Sequence, residues 1–141
     1  MHVLENGVTV DIFIKLRKLG PFKEYNEEDV RLALQHTLYS VVVYDDEKAV
    51  GMARVVGDGR ICFFIKDVVV VPEYHKQGIG TLIMKNLFSY FKANACLNAY
   101  IGLMSTPNVE SFYEKFGFIR RPNKEQGAGM ILYYNGEDKY D

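Results

Sequence analysis

The chain has no tryptophan, only two cysteines and almost no net charge, with 17 Lys and Arg against 18 Asp and Glu over 141 residues. Near-neutrality argues against nucleic acid as a partner, because polyanion binding rests on a basic face. A leader of basic then apolar residues is missing, so Cys62 and Cys96 are expected to be buried small hydrophobes in a reducing, cytoplasmic setting. No apolar run approaches the roughly 20 residues that a membrane span needs. The stretch 61–71 comes nearest, and Lys66 and Asp67 break it. No repeat, low-complexity tract or linker divides the chain, so residues 1–141 are expected to form a single domain. No metal site is expected, since the acidic cluster Glu27, Glu28 and Asp29 reads as the first turn of a helix.

What is present is β-branched, aromatic and well punctuated. Residues 1–8 are weakly patterned and suit a first strand. Thr9 is a candidate N-cap for a helix with Ile12, Phe13, Leu16 and Leu19 on one face, stopped by Gly20-Pro21. Asn26 caps a second helix with a stripe of Val30, Ala33, Leu34, Thr37 and Leu38. Strands at 39–44, 49–56 and 60–71 follow, joined by an acidic turn and by Gly57-Asp58-Gly59, and are expected to form an antiparallel meander. An amphipathic helix then carries Ile79, Leu82, Ile83, Leu87, Tyr90 and Phe91 on one face. A strand at 98–104, a short helix opened by Thr106-Pro107, a closing hairpin of 118–121 with 129–134 and a polar tail at 136–141 complete the chain. This order predicts an α/β fold with a mixed sheet.

The most informative stretch is Val68-Val69-Val70-Val71-Pro72-Glu73-Tyr74-His75-Lys76-Gln77-Gly78-Ile79-Gly80-Thr81. It reads as a buried strand, a basic glycine turn and a helix start, an arrangement that offers backbone N–H groups to an anion. A nucleoside-triphosphate P-loop needs a Gly-Lys-Ser/Thr ending, and Gly78-Ile79-Gly80-Thr81 lacks the lysine. A dinucleotide fingerprint needs a third glycine where Ile83 stands, and an acidic residue where the chain reads Asn98-Ala99-Tyr100.

Two blocks, 67–80 and Asn108-Val109-Glu110-Ser111-Phe112-Tyr113-Glu114-Lys115-Phe116-Gly117-Phe118, resemble the GNAT superfamily of acetyl-CoA-dependent N-acetyltransferases. The strand between the blocks and the element order also fit, so the resemblance covers nearly the whole chain. It implies a GNAT fold with a mixed sheet of about six to seven strands flanked by about four helices. Segments 53–59, 65–68 and Gly127-Ala128-Gly129-Met130 resemble the branch of small bacterial and plant serotonin-type arylalkylamine acetyltransferases. The departure from the family loop is His75 at its first position, which either donates to phosphate or is an ordinary loop histidine.

The resemblance implies the site. The amides of Gln77, Gly78, Ile79, Gly80 and Thr81, with Lys76, would hold the CoA pyrophosphate, and pantetheine would pair with the backbone of Val68, Val69 and Val70 as an added strand. The N–H near Val69 or Val70 would face the oxyanion, and the strand after the helix would splay to make room. Asn108 matches a position that contacts the cofactor. Tyr113 is the candidate general acid, since a CoA thiol has a pKa near 8.5 and a phenol near 10. Asp67 is either the base that deprotonates the amine or half of an ion pair, for instance with Arg54; a water chain ending at a carbonyl is the alternative base. Tyr25, Arg54, Phe64, Met104 and Met130, together with Phe63, are candidates for the acceptor pocket. The expected partner is a small amine rather than nucleic acid or a membrane, with self-association into a homodimer left open. An aminosugar or protein-lysine acetyltransferase, and a CoA-binding sensor without turnover, are the competing readings.

Overall fold

The computed structural model describes residues 1–137, so positions 138–141 of the expected tail lie outside the described residues. These fall into two compact units, residues 1–103 and the part that begins at Met104.

The first unit is built on five strands in the order β1-β2-β3-β4-β5. They are β1 (His2–Glu5), β2 (Tyr39–Asp45), β3 (Lys48–Gly57), β4 (Cys62–Val70) and β5 (Tyr100–Gly102). The first four pair antiparallel, and β4 and β5 pair parallel, so the sheet is mixed. Helices α1 (Val10–Arg17), α2 (Glu27–Leu34) and α3 (Ile79–Asn94) complete this unit. The caps are those the sequence marks. Thr9 Oγ1 accepts from Ile12 N–H at 3.2 Å, and Asn26 Oδ1 accepts from Asp29 N–H at 2.8 Å. At the hairpin between β3 and β4, Asp58 Oδ1 accepts from the N–H groups of Arg60, Ile61 and Cys62. These three bonds favour the carboxylate and hold Asp58 below its ordinary pKa.

The sheet has two distinguishable faces. Tyr39 stacks on Tyr90 of α3, and Phe63 meets Phe91 edge-on. A Cβ added to Gly51 would fall 2.9 Å from Ile79 and 3.2 Å from Ile83. Residues 51, 53 and 55 therefore look toward α3, where Ile83, Met84 and Leu87 are buried. Arg54 lies on the opposite face, with its guanidinium 5.5 Å from the Phe13 ring of α1.

The second unit holds one short helix, α4 (Glu110–Glu114). Four expectations are corrected. Pro107 does not open a helix: Asn108 takes a φ of 70° and helical structure starts only at Glu110. The closing hairpin is absent among the described residues, which have five strands rather than six or seven. Strand-forming composition at 129–134 finds no ladder partner, and Met130 is 87% exposed. Helix α2 stops at Leu34 and buries only Val30 of its expected stripe. Finally, neither cysteine is buried: Cys62 is exposed and Cys96 half-buried.

Candidate active site

Strand β4 changes character halfway along. Its first residues have a strand on each side: Cys62, Phe63 and Phe64 pair with Tyr100, Ile101 and Gly102 of β5, and Phe63 to Ile65 also pair with β3. The β5 ladder then ends, while β4 runs on to Val70. Among the described residues, 66–70 thus pair only with β3.

The same stretch carries a β-bulge. Arg54 pairs with Lys66 and Met52 with Val69, so Ala53 faces two residues, Asp67 and Val68. Asp67 sits at the bulge with a φ of 59°, a left-handed conformation that is uncommon for a side chain other than glycine. The extra residue shifts the alternation. Ile65 pairs with Val55 on the α3 face, yet beyond the bulge Val70, paired with Gly51, has that face and Val69 has the other. Asp67 accordingly meets residues of the α1 side.

Backbone directions follow from the pairing. Val71 N–H donates to Val50 O at 2.8 Å, and Val69 O lies near Gly51. Alternation then aims Val69 toward β3 and both polar groups of Val70 toward the open edge. His75 agrees with this, for its Nε2 is 2.9 Å from Val70 O. That contact engages the His75 ring with the strand end.

The glycine turn leaves β4 through a 3-10 turn at Pro72–Tyr74. Tyr74 Oη donates to Asp45 Oδ2 at 2.5 Å, fixing the turn to the end of β2. That bond to a carboxylate, with burial adding, raises the Tyr74 pKa. Gln77 Nε2 donates to Glu73 O at 3.1 Å. Lys76 has a φ of 63°, and Gly78, the N-cap of α3, one of 81°. Leu82 N–H bonds to Gly78 O at 3.0 Å, so the amides of Ile79, Gly80 and Thr81 precede the first intrahelical bond. A Cβ built on Gly78 would meet nothing within 4 Å. The turn from His75 to Thr81 contains no carboxylate. Amide donors, a helix dipole, open space and Lys76 fit a pyrophosphate.

Asp67 is the buried centre of a three-residue cluster. Its side chain is 1% exposed; Oδ1 accepts from Arg17 Nη1, and Oδ2 accepts from Arg54 Nε at 2.5 Å. Arg54 also donates to Thr37 Oγ1 at 3.4 Å. The Asp67–Arg54 pair expected from the sequence is present, and it ties Arg54 up. Arg17 was not among the candidates. Its place four residues after Phe13 on the buried side of α1 was the available signal.

Beside Arg17 is a cleft of about 310 Å³ between α1 and α2, lined by Phe13, Phe22, Glu24, Tyr25, Glu27 and Val30 among others. The candidate Tyr25 is therefore brought to the Asp67 cluster, with its ring 5.5 Å from the Arg17 guanidinium carbon. Phe63 is buried under α3 and is core, while Phe64 is half-buried with its ring close to Gly102.

In the second unit, Tyr113 is flanked edge-on by Phe112 and Phe118. Burial pushes its phenol pKa above the ordinary value of 10. Asn108 precedes the same short helix, and Met104 lies against Gly129.

A mixed five-stranded sheet whose fourth strand runs past its parallel neighbour into a glycine turn and helix start defines an α/β protein. The acetyltransferase (GNAT) family matches residues 10–118, and the chain belongs to that family. It is similar to GCN5-related N-acetyltransferase 1, chloroplastic, of Arabidopsis thaliana, at 33% identity over 89% of this chain and 64% of that protein. It is likewise similar to serotonin N-acetyltransferase 2, chloroplastic, of Oryza sativa subsp. japonica, at 30% identity over 90% of this chain and 62% of that one. The chain spans about three fifths of the length of these curated relatives. A probable acetyltransferase of unknown function from meticillin-resistant Staphylococcus aureus has the same fold, with a TM-score of 0.85 and 30% identity over 94% of this chain and 98% of that one.

Proposed function

We propose that this chain is an acetyl-CoA-dependent N-acetyltransferase that acylates a primary amine by direct attack in a ternary complex, with a small aryl- or alkylamine as acceptor. The observation that carries the reading is the half of β4 with one free edge, bulged at Asp67 and leading into the amide-lined turn before α3. Acetyl-CoA supplies an activated carbonyl and a thiolate leaving group.

The protein's own groups divide the remaining tasks. The amides of residues 77–81 and Lys76 bind the donor, and the backbone of Val68 and Val70 aligns it as an added strand. Between the two oxyanion candidates, backbone direction favours Val70, whose N–H faces the free edge. Tyr113 holds at Oη the proton that the departing sulfur takes. An ordinary phenol already carries that proton at neutral pH; burial raises the pKa further and makes the proton harder to give up, so the assignment rests on the resemblance and not on the shift. Both Asp67 oxygens are engaged by guanidinium groups, so we assign Asp67 to holding the bulge and give the amine proton to a water chain ending at a backbone carbonyl. The cleft beside Arg17 supports an aromatic acceptor, since Phe22 and Tyr25 offer flat apolar surface; its charges, Glu24 and Glu27 against Arg17, Lys18 and Lys23, do not by themselves select an ammonium group. The rice relative's serotonin acceptor agrees with that chemistry.

A screen of amines for CoA release at fixed acetyl-CoA tests the proposal. Turnover with aryl- or alkylamines above the rate without amine is expected. Turnover confined to aminosugars or to peptide lysine would overturn the acceptor, and no turnover with any amine, despite acetyl-CoA binding, would favour a sensor.

A further inference from the structure

We infer that Arg17 is a positioning residue that joins the acceptor cleft to the strand aligning the thioester, so that ordering on one side is transmitted to the other. The inference rests on the donor and acceptor assignments just proposed. Arg17 is the last residue of α1 and is 11% exposed at its side chain. One guanidinium nitrogen, Nη1, donates to Asp67 Oδ1 at the bulge, and the other, Nη2, donates to the backbone carbonyl of Lys23 at 2.8 Å. Its carbon lies 5.0 Å from the Phe13 ring, 4.8 Å from Phe22 and 5.5 Å from Tyr25.

A single planar fork therefore spans three pieces of backbone. It is anchored on α1, holds the 18–26 connection through Lys23 O and two rings, and holds β4 through Asp67. Geometry of this kind is specific to arginine, whose donors are fixed relative to one another, whereas a lysine is a point charge on a flexible stem. The linked parts are also the parts that must adjust. Phe22 and Tyr25 wall the cleft, and Asp67 occupies the left-handed position that sets which way Val68 to Val70 face. Arg54 grips the other oxygen of Asp67 but reaches to Thr37 rather than to the cleft. It stabilises the bulge without touching the 18–26 connection, which makes it the natural control.

Amide hydrogen exchange on the whole protein, with and without acetyl-CoA, reads the link without needing the acceptor. In the unaltered protein acetyl-CoA is expected to slow exchange at residues 66–70 and 76–81, and also at residues 20–26 by at least about fivefold, the lower end of ordinary coupling between sites. In Arg17→Gln, protection of 66–70 and 76–81 persists and protection of 20–26 is lost. Arg54→Gln keeps all three. Should Arg17→Gln not fold, Arg17→Lys carries the same expectation, because a shorter, flexible stem ending in an ammonium has no planar fork to fix Asp67 and Lys23 O relative to each other. Protection of 20–26 that survives in the Arg17 variants, that is missing in the unaltered protein, or that is lost equally in Arg54→Gln overturns the inference. Lack of protection at 66–70 and 76–81 in the unaltered protein overturns the donor assignment instead.

Discussion

The two halves of β4 differ in what borders them. Around Phe63 the strand has β3 on one side and β5 on the other, and the side chain is wholly buried against α3. Around Val70 the strand has β3 alone, and its outward carbonyl is met by a histidine from the following turn. Continuous pairing leaves a strand nothing to offer but packing. A half-paired stretch keeps N–H and C=O groups that another extended molecule can take. The bulge between the halves reassigns the faces, so that the strand packs a core at one end and keeps an edge without a strand partner at the other.

The sharpest way to separate the halves is to damage each alone. Phe63→Ala is expected to cost about 4 kcal/mol of stability, as large aromatic truncations in cores do, while acetyl-CoA affinity measured below the melting range stays within about threefold, a shift of under 1 kcal/mol. Equal loss of both in denaturant titration and calorimetry would break the comparison. Gly80→Asp should do the opposite. A carboxylate set among the N-terminal amides of α3 faces the pyrophosphate, and like charges in contact cost several kcal/mol, so affinity should fall several hundredfold with the melting temperature little changed.

Asp67→Asn tests the bulge. It leaves Arg17 and Arg54 without their counter-charge, and removing one partner of a buried pair costs about 3 kcal/mol. Retained stability would mean that the cluster is not what holds the bulge. Tyr113→Phe should lower kcat about 100-fold, the lower end for a general acid, with acetyl-CoA affinity unchanged. Its pH dependence has a definite sign. Burial favours the neutral phenol in the folded state and raises its pKa above 10. The stability this contributes is therefore complete below pH 10 and is lost as pH rises through the folded value. Alkaline melts of Tyr113→Phe should lack that loss, and this is the smallest of the expected effects.

How much of this was legible in the sequence depends on how local the cause is. The turn and α3 were legible because Gly78, Gly80 and the helical spacing after them are local signals. Burial of Asp67 beside Arg54 was legible from one acid inside an apolar strand, which needs a partner. Arg17 was not, because a basic residue in the last turn of α1 equally suits a solvated helix end until the fold brings Asp67 to it. Nor was the bulge, since a run of four valines has no polar alternation to reveal a change of face. The closing hairpin was over-read for a related reason. Residues 129–134 have strand-forming side chains, but a strand exists only where a neighbour completes the ladder.

The central claim is that the half-paired end of β4 and the turn after it receive the donor. The most direct test is a titration of the isotopically labelled protein with acetyl-CoA, followed by amide NMR. The account predicts that the signals of Val68, Val70 and residues 77–81 shift and saturate together while those of Cys62, Phe63 and Phe64 stay in place. Shifts at Cys62 to Phe64 with none at Val70 or the turn would contradict it.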